Sequence, residues 1–193
     1  DTESNPDFIE DPLLYRAWRI QAASEGLRVR VGRWNVPGKP TAILVDFKQF
    51  LTNQNAILTD FWKNSGVDTL TGNWDYRESA LFGYAAGRVI ESFYRFNLES
   101  SDKVVAQFHE WMTGAGLLYL KSTNAPIATV FTTHATVIGR CIAGNNLPLY
   151  DNMNQYDADQ MARRFNVIAR HSLEKKSAQY SDIFTTVSEI TAK

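Results

Sequence analysis

From residue 102 to the end, the chain alternates short apolar runs with helical patterns, and this alternation limits its fold more than any other feature. Val104 to His109, Ile127 to Thr133 and Ile183 to Val187 are the apolar runs. Trp111 to Tyr119, Ala135 to Ile142 and a long stretch from about Asp157 to Tyr180 carry helical spacing, the last with Met161, Phe165, Ile168, Ala169 and Leu173 inward. Strands that are apolar throughout and separated by helices predict a parallel sheet, because each crossover helix must lie on a sheet face. The expected fold class is therefore α/β, in three layers with a mainly parallel sheet. A short echo supports it: Val130-Phe131-Thr132-Thr133 returns as Ile183-Phe184-Thr185-Thr186, as two strands with the same inside and outside would require.

The first half adds an antiparallel element. Arg28, Arg30 and Gly32 alternate with Leu27, Val29 and Val31, the period-two pattern of a half-buried strand. The turn chemistry of Asn35-Val36-Pro37-Gly38-Lys39-Pro40 and a return run from Ala42 to Phe47 complete a hairpin with a six-residue loop. Asp1 to Asp11 reads as a polar leading loop, Pro12 to Gly26 as a helix opening on Pro12, and Lys48 to Lys63 as a weaker helix stopped at Asn64-Ser65-Gly66. The clearest helix runs from about Asp75 to Phe96. Phe82, Ala86, Val89, Phe93 and Phe96 share one face, and Asp75 with Glu78 forms a variant capping box. Within it, Gly83-Tyr84-Ala85-Ala86-Gly87 is a small-residue stripe suited to close packing.

Composition removes several classes of function. Twenty basic residues against 21 acidic ones leave a net charge of −1, without the basic stripe that nucleic acid demands. No apolar run approaches the roughly 20 residues of a membrane span. The single cysteine, Cys141, permits no internal disulfide and fits a reducing compartment or a protein indifferent to redox state; a cytoplasmic location is expected. Three histidines with no i, i+4 pair argue against a zinc site, so no metal is expected. Neither a dinucleotide fingerprint nor a phosphate loop of the Walker type is present.

In an open parallel sheet, ligands bind beyond the carboxyl ends of the strands. The residues falling there are His109-Glu110, Thr132-Thr133-His134 and Thr185-Thr186-Val187-Ser188. Glu110 and His134 stand at equivalent depth on one sheet edge, separated by one helix and one strand. An acid and an imidazole so placed can fix sugar hydroxyls, share a proton, or stabilise charge near a leaving phosphate. A plainer account also fits: Glu110 as a first-turn residue favoured by the helix dipole, His134 as a capping or core histidine. His109, out of phase with Glu110, is expected on the other face. His171 falls on a polar helix sector with Arg170, Glu174 and Lys175, and Arg140 is a candidate anion ligand whose i, i+6 spacing from His134 does not by itself bring the two together.

Phe108-His109-Glu110-Trp111, with Val130-Phe131-Thr132-Thr133-His134-Ala135-Thr136 after it and Ile138-Gly139-Arg140 closing the block, resembles the glycogen synthases of the animal and fungal type. Arg164-Phe165, Glu174 and the run from Ile183 to Ala192 extend the resemblance, and Gly32-Arg33-Trp34 and Ala80-Leu81-Phe82-Gly83-Tyr84 are similar in kind. The resemblance implies the N-terminal, acceptor-side half of a GT-B fold, so that residues 1–193 form a single partial Rossmann-like domain cut from a longer polypeptide, with the second domain elsewhere. It implies retaining transfer of glucose from a nucleotide sugar to the non-reducing end of an α-1,4-glucan, without a cofactor beyond that substrate. Carried across position by position, His134 and Glu110 become the catalytic pair, and Arg140 and Thr133 become substrate-binding residues. Residues 144 to 158 form a polar loop of their own sequence, which points to a bacterial-like relative and leaves UDP-glucose and ADP-glucose both open as donor. The parent is free to assemble as a homo-oligomer, and the chain by itself is expected to be inactive. The competing expectation is a non-catalytic glucan- or nucleotide-binding module of the same fold; a phosphorylase-like enzyme is a weaker third.

Overall fold

The computed structural model describes residues 5–189, so the Ile190-Thr191-Ala192 end of the last motif lies outside them. The described residues form two three-stranded sheets joined through a helical centre.

The first sheet is antiparallel, ordered β1 (Phe8–Glu10), β2 (Arg28–Trp34), β3 (Thr41–Asp46). β2 and β3 are the expected hairpin, with Val29 opposite Val45 and Val31 opposite Ile43. β1 replaces part of the expected leading loop. Its approach depends on Gly32, where a Cβ would run into the Ile9 carbonyl. Between β1 and β2, helix α1 (Arg16–Ser24) starts later than Pro12, because Asp11 Oδ1 accepts hydrogen bonds from the Leu13 and Leu14 amides and holds a turn there. Leu13 is consequently exposed, whereas Trp18 and Ala22 are fully buried. After a 3-10 segment at Lys48–Asn53, α2 (Gln54–Ser65) ends at Gly66 in the left-handed conformation.

Helix α3 (Trp74–Asn97) is capped by Asn73, whose side chain accepts the Tyr76 amide; the expected cap at Asp75 lies two residues too late. Its buried face is also rotated from the expected one. Ala80, Leu81, Gly83, Ala85, Gly87 and Val89 are buried, while Phe82 and Phe96 are exposed. The small-residue stripe is the reason: α4 (Glu110–Ser122) lies directly on it. A Cβ on Gly116 would stand 2.7 Å from the Gly83 carbonyl, and one on Gly87 would stand 2.8 Å from the Gly116 carbonyl. The expectation of close packing along this stripe holds.

The second sheet is parallel and follows chain order: β4 (Val105–His109), β5 (Ala128–Thr133), β6 (Ile183–Thr186). Phe131 pairs with Phe184, Thr132 with Thr185 and Thr133 with Thr186, so the sequence echo is two neighbouring strands in register. The two Phe rings stack, and the Thr132 and Thr185 hydroxyls bond at 2.7 Å. β4 departs from two-sided burial: Ala106 and Phe108 are buried, while Val105, Gln107 and His109 are exposed. The long expected helix is two helices, α6 (Ala158–Arg164) and α7 (Ile168–Tyr180), divided at Asn166, which takes a left-handed φ of 56°. The break lets Met161 and Ala162 join Ile138 and Ile142 of α5 (Val137–Gly144) in a small second core, while Ala169 and Leu173 stay in the main one.

Candidate functional site

The tips of β4 and β5 lie side by side, with His109 opposite Thr132. At Glu110 the chain turns through a left-handed φ of 63° on its way into α4. A non-glycine residue there is strained by about 1–3 kcal/mol, a cost that persists only where the surroundings enforce it. What enforces it is visible: Glu110 Oε1 accepts the His134 backbone N–H at 2.7 Å. The acid thus reaches across to the loop that follows β5, and Glu110 and His134 share one side of the sheet edge.

Arg140 is brought in as well. Its Nη2 lies 3.9 Å from Glu110 Oε1, and its Nε donates to the Ala135 carbonyl at 3.4 Å. The spacing argument against it assumed a helix beginning near His134. Because α5 begins only at Val137, after an N-cap at Thr136, residues 134–136 are loop and the guanidinium folds back over it. Thr133 lies beneath this surface, 1% exposed. His109 is corrected: its Nδ1 stands 3.4 Å from His134 Nε2, so both imidazoles belong to the same cluster. The left-handed turn at Glu110 breaks the strand alternation on which the opposite-face expectation rested.

The residue that sequence reasoning misplaced is Glu174. Put on a polar sector of its helix, it is instead 6% exposed, and its Oε2 accepts the Val137 amide at 2.9 Å. Burial pushes its carboxyl up to about 7; the nearby Glu110 charge adds to this, while the Val137 amide and Arg140 oppose it. Its appearance beside the family motifs was the signal available. His171 is likewise only partly solvated, bonded to Asp159 at 2.9 Å. Lys175 and then His171 hold the Asp159 carboxyl below its ordinary range. A concavity of about 210 Å³ lined by Asp68, Asp159, Arg163, His171 and Lys175 shares no residue with the Glu110 cluster. Among the described residues, no group of three or more His, Cys, Asp or Glu is arranged to hold a metal ion, and no helix is long and apolar enough to cross a membrane.

An acid, two imidazoles and a guanidinium beyond the strand tips of a Rossmann-like parallel sheet define an α/β domain of the kind that binds ligands at its carboxyl edge. The profile of the family described as glycogen synthase matches residues 9–193, and the chain belongs to that family. It is 37% identical to a glycogen (starch) synthase of Dictyostelium discoideum over 98% of this chain and 21% of that protein. It is 34% identical to the liver glycogen (starch) synthase of Mus musculus, over 86% of this chain and 23% of that protein. With glycogen (starch) synthase isoform 2 of Saccharomyces cerevisiae the figures are 32%, 88% and 24%. The chain therefore spans about a quarter of the length of these relatives, or slightly less.

Proposed function

We propose that the protein containing this chain is a retaining glycosyltransferase that moves glucose from UDP-glucose or ADP-glucose to the non-reducing end of an α-1,4-glucan. In this reading the chain supplies the acceptor-side domain of a two-domain cleft, working in the cytoplasm. The observation that carries the proposal is the 2.7 Å bond from the His134 amide to Glu110, which joins the carboxylate to the loop that carries the imidazole at one open edge. Relatives that bear the name glycogen (starch) synthase across nearly the whole chain support it.

The roles follow from what each group has left to offer. Glu110 Oε1 is occupied by the His134 amide, and no hydrogen bond to Oε2 from another described residue accompanies it, so Oε2 can accept a sugar hydroxyl. The exposed His134 ring faces the same space and can fix a second hydroxyl of the donor glucose. The Arg140 guanidinium, itself exposed, offsets charge that builds on a departing diphosphate. Thr133 acts from below, as part of the floor. The second domain completes the donor site, so this chain by itself gives no turnover.

The test is glucosyl transfer by the full-length protein with each donor in turn. His134→Ala should lower kcat by roughly 10²–10⁴-fold, the range of a positioned acid–base or polar catalytic group. An unchanged rate would remove the catalytic assignment. Glucan or nucleotide binding without turnover in the unmutated protein would favour a binding module instead.

A further inference from the structure

The loop from His134 to Thr136 is held at both ends by carboxylates that do not belong to it. Glu110, at the start of α4, takes the His134 N–H at 2.7 Å. Glu174, in the middle of α7, takes the Val137 N–H at 2.9 Å. Between them the Thr136 hydroxyl caps α5 by accepting the Gly139 amide at 3.0 Å. The amides at the two ends of the loop are therefore tied down, and between them the Ala135 carbonyl is engaged by Arg140.

Glu174 is the less expected of the two anchors. A carboxylate is rarely buried to this degree unless paired, and here the main partner is a single backbone amide. The Thr133 hydroxyl approaches it from β5, yet neither Thr133 Oγ1 nor Glu174 Oε1 makes a well-formed hydrogen bond among the described residues. Thr133 immediately precedes His134, so Glu174 touches the chain on both sides of the loop. Glu110 and Arg140 are the charged groups whose fields reach it. An apolar side chain of similar size would fill the same space more cheaply, so the acid is retained for what it grips.

We infer that Glu174 is a positioning residue for the transfer reaction: by accepting the Val137 amide from below, it sets the height and angle at which the His134 loop presents its imidazole and the Arg140 guanidinium to substrate. This inference rests on the glycosyltransferase reading. The residue never touches sugar; it acts through the backbone of the loop. The need is for an acceptor at that point, not for a negative charge, and a carboxyl pushed up to about 7 is half protonated near neutrality.

The experiment compares Glu174→Gln and Glu174→Met with His134→Ala in the full-length protein, measuring kcat and KM for the nucleotide sugar. Glu174→Gln keeps a carbonyl for Val137 and should stay within about threefold of the parent. Glu174→Met matches the volume but accepts nothing, and its kcat should fall at least tenfold, with KM changing less. A folded Glu174→Met with unchanged kcat, or a Glu174→Gln as impaired as Glu174→Met, overturns the inference. Should Glu174→Met not fold, amide hydrogen exchange decides: Val137 must exchange slowly in both the parent and Glu174→Gln, and exchange at the rate of an open amide refutes the anchor. If His134→Ala is itself fully active, the underlying functional reading fails and not this inference alone.

Discussion

Adding one methyl group between α3 and α4 should separate them measurably. In Gly87→Ala the new carbon would lie 2.8 Å from the Gly116 carbonyl oxygen and 3.0 Å from Gly116 Cα. In Gly116→Ala it would lie 2.7 Å from the Gly83 carbonyl oxygen and 2.8 Å from the Phe108 ring. The obstacles are mainly backbone on both sides, so neither clash can be relieved by a side-chain rotation. Overpacking of this kind costs about 1–3 kcal/mol. Alanine returns about 1 kcal/mol as the better helix former, which leaves a net loss of about 1–2 kcal/mol for a clash at the severe end. For a chain of 150–250 residues each kcal/mol shifts Tm by about 2–4 °C, so each variant should melt about 2–8 °C lower by circular dichroism. Gly144→Ala is the matched control: it lies at the end of α5 with nothing within 4 Å, and it should melt at or above the parent. If Gly87→Ala and Gly116→Ala also melt at or above the parent, the two helices do not cross on this stripe.

Three further predictions concern stability. The Glu174 carboxyl sits at about 7 against an ordinary 4.5, so its ionised form is the disfavoured one in the folded chain. Folding stability should therefore fall as pH rises from about 4.5 through 7, by about 3 kcal/mol at most; Glu174→Gln should flatten that slope in melts taken at pH 5 and pH 8. Asp182 behaves oppositely. Its carboxylate bonds to Lys121 and to the Thr129 amide, which bring it down to about 2, so its contribution is present above about 4 and is lost as pH falls through 2. Asp182→Asn should lose about 1 kcal/mol at pH 7, the pair being half exposed, and clearly less than that relative to the parent at pH 2, as urea titrations at the two pH values will show. Asn166→Ala should lose about 1–2 kcal/mol through its left-handed backbone, and Asn166→Gly should not; equal midpoints for the two would contradict the helix break.

The parts of the fold legible in the sequence were those written in period and repetition. The β2–β3 hairpin needs only alternation and a Pro-Gly turn, and the matched Phe-Thr-Thr runs announce neighbouring strands. What escaped were features set by single side chains meeting at a distance. Asn166 ends α6 with no glycine or proline to mark it, and the break follows from Met161 and Phe165 packing on α5 rather than on the main core. The rotation of α3 comes from α4 seeking the glycines, which outweighs the larger Phe82 and Phe96. Within the site, Glu110 and His134 could be placed from strand-tip logic. Arg140 could not, since its reach depends on where α5 starts, and Glu174 could not, since the group that covers it is a backbone amide 37 residues earlier.

Both carboxylate anchors close on main-chain N–H groups, at His134 and at Val137, and neither holds the imidazole itself. Geometry and chemistry are thereby divided between different atoms. The frame would survive exchange of the residue it carries, so position 134 is a place where a non-natural amino acid, or a small molecule supplied to an emptied site, could be tried with the scaffold left undisturbed.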